Sequence, residues 1–559
     1  MQRTQADVVA ELTAPGAPFE LAELEIRGVT TRIFKHLPNS LRDLFALSRT
    51  RGDRPFLVYE DETWSFEDVI GQLDALGAAL VHRYGIERGD RVAIAMRNYP
   101  EWIVAFAAIT SVGGIAVSMN AWWKADEMAY GLEDSGAKLL IADRERIETA
   151  GPALERLRVR SLAVRAEAGT VAESDRWEVV VVPGPTLPEV AIDPDDDATI
   201  LYTSGTTGFP KGAVSTHRAV LSALSCFGLR ATAAKILFPK DTEGHPFDPC
   251  FILCVPLFHV TGCVAVMLTS FASGAKIVMM YKWSPERALE LIERERITNF
   301  VGVPTMSFDL LESPAFGKHD TSSLLSVGGG GAPAPPTLVA RVENSFGRAR
   351  PGIGYGMTET NAYGPQNGGD DYIARPLSTG RAVAPTEIRV TGDQDRPLPV
   401  GEVGEIWFRG PNLIRGYWNK PEATALTIVD GWLRSGDLGY VDEDGFVYVQ
   451  DRAKDMVLRA GENIYCAEVE AALYEHPGVY EAAVFGIPHE RLGEEVAAAL
   501  YPKPGKTLDA ADVRRHMQER VANFKIPSVI EIHTEPLPRN PAGKILKREI
   551  RDELAARRG

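Results

Sequence analysis

Through the first two-thirds of this chain, short runs of β-branched and apolar residues alternate with helix-patterned stretches. That rhythm leaves few folds open. The run 91–96 follows a helical stretch near 66–84, and the run 137–142 follows another near 125–135. Runs at 251–255, 275–279 and 298–302 continue it. Alternation of this kind predicts parallel sheets covered by helices, with the active site outside the carboxyl ends of the strands.

One such strand end carries an unusual loop. After the apolar run 198–202 come Thr203, Ser204, Gly205, Thr206, Thr207, Gly208, Phe209, Pro210, Lys211 and Gly212, and a helical pattern begins near His217. The expected order is strand, loop, helix. Glycines expose backbone N–H groups, hydroxyls add donors and Lys211 adds a cation, which together suit a polyphosphate. The spacing does not fit the G-x-x-x-x-G-K-[ST] phosphate loop.

From about Thr386 the texture changes to short β-type runs at 387–390, 404–408 and 445–449, which predict a small antiparallel subdomain resembling a barrel. After the charged segment Asp451-Arg452-Ala453-Lys454-Asp455, α+β patterning resumes. The expected organisation is α/β: a large domain over 1–451, and a smaller, mobile α+β domain over 452–559 hinged at 451–455.

Other bulk features narrow the function. A net charge of −16 argues against a nucleic-acid surface. The five cysteines form an odd, sparse set that suits a reducing compartment; Cys250 and Cys254 flank an apolar run and read as buried thiols, not as a metal site. The N-terminus lacks a signal pattern, and no apolar run reaches the ~18 residues of a membrane span. A cytoplasmic location is the expectation.

Four further segments carry chemistry. In the run 352–360, glycines bracket Tyr355, whose ring suits a nucleobase, and Thr358 and Glu359 follow as hard oxygen donors for Mg²⁺. In the run 327–333 four glycines precede Ala332 and Pro333, allowing close backbone approach to a flat ligand. Asp437 sits in a turn and suits a ribose diol. Lys544 lies on a loop before a helix, where it can neutralise charge on a carboxylate and a phosphate.

In this order and spacing, from about Leu41 to Arg548, the motifs resemble the adenylate-forming superfamily of acyl-CoA synthetases, peptide-synthetase adenylation domains and firefly luciferase. The resemblance implies that a carboxylate is joined to AMP with loss of pyrophosphate, and the acyl group then passes to a thiol. It implies that Thr203 to Gly208 and Lys211 hold the β- and γ-phosphates of ATP. Tyr355 with Gly331, Ala332 and Pro333 would frame adenine, and Asp437 with Arg452 would hold the ribose. Thr358 would touch the α-phosphate, Glu359 would bind Mg²⁺, and Lys544 would catalyse adenylation. Lys454 falls at the family's hinge, and rotation there would present 460–463, including Gly461, to the thiol.

The run 256–262 resembles the CoA-ligase form of a family motif. It offers His259 and lacks the Asp of amino-acid-activating relatives, so coenzyme A is the expected acceptor. No carrier domain is expected after Lys544. The acid pocket would include His259, Val303, Thr305, Gly329, Gly330 and Met357, which suits a medium- or long-chain fatty acid. Aryl, terpenoid or steroid side-chain acids fit such walls as well, and a fatty-acyl-AMP ligase loading a carrier protein is a further alternative. The expected partners are thus the acid, ATP and CoA, without nucleic acid or a transmembrane segment, and with a homodimer left open.

Overall fold

A computed structural model of the chain describes residues 3–171, 174–203, 210–239, 244–541 and 543–558. Two eight-stranded sheets share one apolar core. The first runs Gly416–Tyr417, Lys211–Thr216, Asp197–Thr203, Ile115–Ser118, Arg91–Ala95, Leu139–Asp143, Arg160–Val164 and Asp175–Arg176. The second runs Gln366–Gly368, Arg350–Gly354, Ser326–Gly330, Asn299–Gly302, Cys250–Leu253, Lys276–Met279, Pro55–Tyr59 and Glu62–Ser65. Their interiors are parallel, as the alternation predicts, while the edges reverse: Lys211–Thr216, Gln366–Gly368 and Glu62–Ser65 all pair antiparallel.

The helix Pro100–Ser111 explains how the two sheets share a core. Its sequence is apolar on every side, and all twelve residues are buried. A helix without a polar face must be enclosed. Trp102 and Phe106 stack within it at 5.5 Å. Its one carboxylate, Glu101, is matched by Arg165, whose Nε lies 2.9 and 3.0 Å from the two oxygens. The same guanidinium grips Glu62 of the second sheet at 2.7 and 2.8 Å, tying the layers together. Bidentate Arg–carboxylate geometry makes such a bridge directional as well as attractive.

The expected strand–loop–helix order around residue 203 is corrected. Lys211–Thr216 is a strand, antiparallel to Asp197–Thr203 with Thr203 opposite Lys211, and the helix His217–Leu237 starts only after it. The glycine-rich loop therefore closes a hairpin and does not open a helix. The cause is burial: Gly212, Ala213, Val214, Ser215 and Thr216 are all buried, and the strand pairs on its other side with Gly416–Tyr417. Ser204, Gly205, Thr206, Thr207 and Gly208 lie outside the described residues.

The helix His217–Leu237 is long and apolar enough, by length and composition, to cross a membrane. No such run was expected from the sequence. Its packing is that of a core helix: Thr216 caps it through the Ala219 N–H at 3.2 Å, and Val220, Leu224, Cys226 and Leu229 join the main core. Buried His217 fixes its start by accepting the Leu41 N–H at 3.1 Å.

The small β subdomain is a five-stranded antiparallel sheet of Glu387–Thr391, Gly404–Arg409, Trp432–Val441 and Ile428–Val429, with Val447–Arg452 on Trp432–Val441. The C-terminal region has its own five-stranded sheet, built on the pair Val479–His489 and Gly493–Pro502, with helices Cys466–Tyr474, Ala510–Gln518 and Lys547–Arg558. It docks on the helix Pro304–Glu312: Tyr480 donates to Asp309 Oδ1 at 2.5 Å, and Tyr474 stacks on Phe308 at 6.0 Å.

Gly329 marks where backbone crowding is greatest. A Cβ there would stand 1.6 Å from the Gly302 carbonyl oxygen on the neighbouring strand, and its φ is +158°. Gly329→Ala is expected to cost more than about 4 kcal/mol, because a backbone atom cannot move aside cheaply. Gly71, inside the helix Phe66–His82, has open space around it. Gly71→Ala should add roughly 0.5–1 kcal/mol through helix propensity. Denaturant unfolding of both variants beside the parent checks the pair.

Candidate active site

A cavity of about 1750 Å³ opens at the carboxyl ends of the second sheet and reaches the C-terminal region. The strands Ser326–Gly330 and Arg350–Gly354 supply one wall with little more than backbone. Glycine is required there: a Cβ on Gly330 would sit 2.3 Å from the Gly354 carbonyl, and one on Gly356 would sit 2.5 Å from that of Ala362. The result is a glycine stretch of the wall in which backbone lies close to the cavity, flanked by Ser326, Arg350, Pro351 and Ile353.

Tyr355, between the lining residues Gly354 and Gly356, turns its ring away from the lining and into the core of the β subdomain. Its hydroxyl donates to Asp437 Oδ2 at 2.6 Å, and its ring lies 5.5 Å from Phe408. Burial, reinforced by the Asp437 charge, holds the phenol well above its ordinary pKa, so it stays a donor. Asp437 is buried, accepts Tyr355 on one oxygen and faces Arg452 Nε at 3.4 Å on the other. The two residues are opposite one another in the sheet register. Ser435 Oγ accepts the Asp437 N–H at 3.0 Å and fixes the turn.

Thr358 and Glu359 occupy a single 3-10 turn, Thr358–Thr360, followed by two left-handed residues, Asn361 (φ 52°) and Ala362 (φ 65°). Consecutive non-glycine residues in that region are uncommon and need external support. Asn412 provides it. Its Nδ2 donates to the carbonyls of Thr360 at 2.9 Å and Tyr363 at 3.4 Å, and its Oδ1 accepts the Thr386 hydroxyl at 3.0 Å. Asn361 returns a bond to the Asn412 carbonyl at 2.9 Å.

Glu359 Oε1 accepts the Tyr417 hydroxyl at 2.7 Å, and the Lys211 ammonium sits 4.3 Å over the Tyr417 ring. Carboxylate, phenol and lysine thus form one cluster at the hairpin that carries Thr203, where the Thr203 hydroxyl donates to the Lys211 carbonyl at 3.3 Å. One carboxylate beside a phenol suits Mg²⁺ that takes its other ligands from phosphates and water.

His259 lines the cavity at the start of the π-helical segment Thr261–Leu268. Its Nδ1 accepts the Thr261 N–H at 3.3 Å, which leaves the proton of the neutral ring on Nε2. Burial first, then the Lys544 charge, lowers its pKa to about 4. The wide helical turn depends on Gly262, where a Cβ would meet the Pro256 carbonyl at 2.3 Å.

Lys544 reaches the same cavity from the C-terminal region. The Asn540 side chain accepts its N–H at 2.9 Å, the Asn540 N–H returns to its carbonyl at 2.8 Å, and Arg539 donates to the Gly543 carbonyl at 2.8 Å. A second Arg539 bond, to Glu481 at 2.6 Å, anchors this loop to the C-terminal sheet. Burial, then Arg452 and Lys547, lower the Lys544 pKa to about 8. Lys454, in the turn after Arg452, is lowered as well, mainly by burial.

Thus Thr203, Lys211, His259, Gly331, Met357, Thr358, Glu359, Asp437, Arg452, Lys454 and Lys544 converge on one cavity, with Gly329 and Gly330 in its wall. Tyr355, Ala332, Pro333, Val303 and Thr305 are not among its lining residues; Tyr355 packs on the Phe408 cluster, and Val303 packs near Gly543. Gly461 is exposed in the turn between strands Val457–Arg459 and Glu462–Ile464, away from the cavity. Sequence reading missed Tyr417, Asn412 and the π-helical segment. The dipeptide Gly416-Tyr417 is the one local hint, as a short edge strand beside Lys211–Thr216.

A strand-end cavity that gathers Thr203 and Lys211, the acidic turn at Glu359 and Lys544 of the C-terminal region has the layout expected of an adenylate-forming enzyme. Comparison agrees: the model of AMP-binding enzymes matches residues 45–418, and that of the AMP-binding enzyme C-terminal domain matches 468–544. The chain belongs to this family, within the adenylate-forming superfamily, and is an acid–thiol ligase, an ATP-dependent acyl-CoA synthetase. It is 36% identical over 472 residues to a feruloyl-CoA synthase of Amycolatopsis sp, covering 84% of this chain and 89% of the relative. It is 32% identical over 512 residues to a long-chain-fatty-acid–CoA ligase of Mycobacterium tuberculosis, covering 89% and 95%. Among solved structures it resembles the anthranilate CoA ligase AuaEII bound to anthranoyl-AMP, with TM-score 0.85, 27% identity, and coverage of 93% of this chain and 99% of that one.

Asn412 is not among the lining residues, yet its amide holds the turn that carries Thr358 and Glu359. Asn412→Ala should destabilise the fold by about 1–3 kcal/mol, since it strands buried partners. It should also slow acyl-AMP formation on the order of 10- to 100-fold by loosening the turn. Urea unfolding and pyrophosphate release on the same preparation check both effects.

Proposed function

We propose that this synthetase activates a carboxylic acid with an apolar body, a medium- or long-chain fatty acid or a compact ring acid, and transfers it to coenzyme A. The observation that carries the reading is a continuous cavity. From Lys544 and His259 it runs between the glycine wall and one face of the helix His217–Leu237, where Phe227, Ala231 and Ala234 supply small and apolar lining. The related feruloyl, anthranilate and long-chain-fatty-acid ligases bracket that range of acids.

In the first step a carboxylate oxygen attacks the α-phosphorus of ATP and displaces pyrophosphate. Lys211 and the hairpin at Thr203 hold the leaving phosphates, while Tyr355, Gly331, Asp437 and Arg452 receive adenine and ribose. Thr358 faces the α-phosphate. Glu359 is the residue that would hold Mg²⁺, which when bound offsets phosphate charge. Lys544 stands between the two anions and lowers their repulsion as they meet. His259, neutral at physiological pH given its lowered pKa, adds a ring N–H donor without adding charge.

In the second step the CoA thiol attacks the acyl carbonyl and AMP leaves. A turn of the C-terminal domain about Lys454 would withdraw Lys544 and bring in the segment containing Gly461. Support for a hinge there comes from the geometry: the chain passes from the strand Val447–Arg452 into the C-terminal sheet through one short turn. A rigid-body change of this kind lets one domain serve two reactions.

Lys544 acts as the cation, so activity is present below its pKa and lost as pH rises through it. For the free enzyme, kcat/KM for acyl-AMP formation should therefore fall above pH of about 8. Lys544→Arg, charged throughout, should flatten that limb. Lys544→Ala should lose roughly 10²–10³ of the adenylation rate and spare thioester formation from supplied acyl-AMP. Pyrophosphate release and CoA-thioester yield over an acid panel test the whole reading, and release of pyrophosphate with no thioester for any acid would refute the acceptor.

A further inference from the structure

The acid channel contains a charge that the two half-reactions do not use. Arg230 lies on the helix His217–Leu237, on the face that also presents Phe227, Ala231, Ala234 and Lys235 to the cavity. Those positions follow the i, i+3, i+4, i+7, i+8 spacing of a single helix face. Arg230 is thirteen residues beyond His217, so about 20 Å along the axis from the end that adjoins the phosphate hairpin. The charges that act on Lys544 come from Arg452, Lys547, Asp437 and Asp455, whereas those on Arg230 come from Tyr363, Arg381 and Asp371. The two cations occupy separate ends of one cavity.

The charged groups that act on Arg230 or stand near them, Arg381 and Arg350, are already matched, while Lys235 is exposed one turn further along the same helix face. Arg381 donates to Asp371 Oδ2 at 3.2 Å and lies 4.2 Å over the Phe446 ring. Arg350 pairs with Glu343 at 2.7 Å and also with Asp370. The Tyr363 hydroxyl accepts the Val383 N–H at 3.4 Å. Arg230 itself has no hydrogen bond or ion pair among the described residues, and its Nη1 is buried without a partner. A guanidinium carries five N–H donors and cannot shed its charge, so enclosing it unpaired is costly unless something supplies an acceptor.

We propose that Arg230 receives a second oxygen acceptor, a ketone or carboxylate, at the end of the acid remote from the reacting carboxyl. This rests on the channel reading above and narrows it: the preferred substrate is a bifunctional acid with an apolar middle, and a plain fatty acid leaves Arg230 unsatisfied. The planar, multi-donor head of arginine recognises such an oxygen through more than one hydrogen bond, and a site built for a polar group rejects an analogue lacking it.

The test measures pyrophosphate release with ATP and Mg²⁺ but without CoA, so that the pantetheine amides cannot contribute. Dodecanoate is compared with its ω-oxo and ω-carboxy analogues, and phenylpropanoate with its para-acetyl and para-carboxy analogues. In at least one set the functionalised acid should exceed the plain one in kcat/KM by ~tenfold or more. The oxo and carboxy arms separate the two acceptors. Arg230→Met should bring the ratio to about one by slowing the functionalised acid while the plain acid is held or improved, and Arg230→Lys should keep part of the preference. A ratio at or below one in the parent, or a ratio that Arg230→Met leaves unchanged, overturns the proposal. If no acid releases pyrophosphate, the channel reading fails, and the ligand-free melting temperature still decides the Arg230 question. Removing a half-buried charge that has no hydrogen-bond partner, as in Arg230→Met, should raise that temperature, whereas a fall would show a structural partner and sink the proposal.

Discussion

Everything at the proposed catalytic centre turns on bringing the Lys544 ammonium out of water and into a cavity walled by the large sheets. Desolvation opposes the charge, and Arg452 and Lys547 oppose it further. The loop from Arg539 to Lys544 counters this with covalent brevity and local hydrogen bonds: Asn540 brackets Lys544 on both sides, and Arg539 ties the loop back to Glu481. The same loop meets the large domain at Gly543, which has room for no side chain because Val303 Cγ2 would stand 2.8 Å from a Cβ. The cation is strained electrostatically but held geometrically, which is the condition of a group poised for two approaching anions.

That geometry presupposes rigid walls opposite. They come from glycine strands whose carbonyls crowd their neighbours, from the Asn412 network beneath the acidic turn, and from the bridge of Arg165 with Glu62 and Glu101 that fastens the two large sheets. Each uses hydrogen-bond geometry, not bulk apolar area, to fix a position. Burial of the helix Pro100–Ser111 supplies the cohesion, and these polar ties supply the register.

The sequence made the parallel sheets legible because buried parallel strands read as continuous apolar runs, and residues 91–95 and 139–143 fall where those runs lie. Most of the described residues it singled out line one cavity, since glycine, threonine and aspartate at strand ends have few structural reasons to cluster. What escaped were residues whose meaning depends on partners far along the chain. Tyr417 matters because it meets Glu359 and Lys211, Asn412 because it meets Thr360 and Tyr363, and Arg230 because no described residue hydrogen-bonds it. The strand Lys211–Thr216 was passed over for a different reason: its short β-branched run abuts a strong helix signal at His217, and local pattern cannot say that Gly416–Tyr417 waits to pair with it.

Asp309 has a double engagement at the domain junction. One oxygen takes the Tyr480 hydroxyl of the C-terminal region, and the other takes the indole N–H of Trp283 at 2.8 Å. An indole hydrogen-bonded to a carboxylate emits according to how that carboxylate is solvated. Undocking would admit water to Asp309 while leaving Trp283 in place beside Phe300. On the proposed hinge motion, Trp283, one of nine tryptophans, would report the posture of this junction from the side that stays in place.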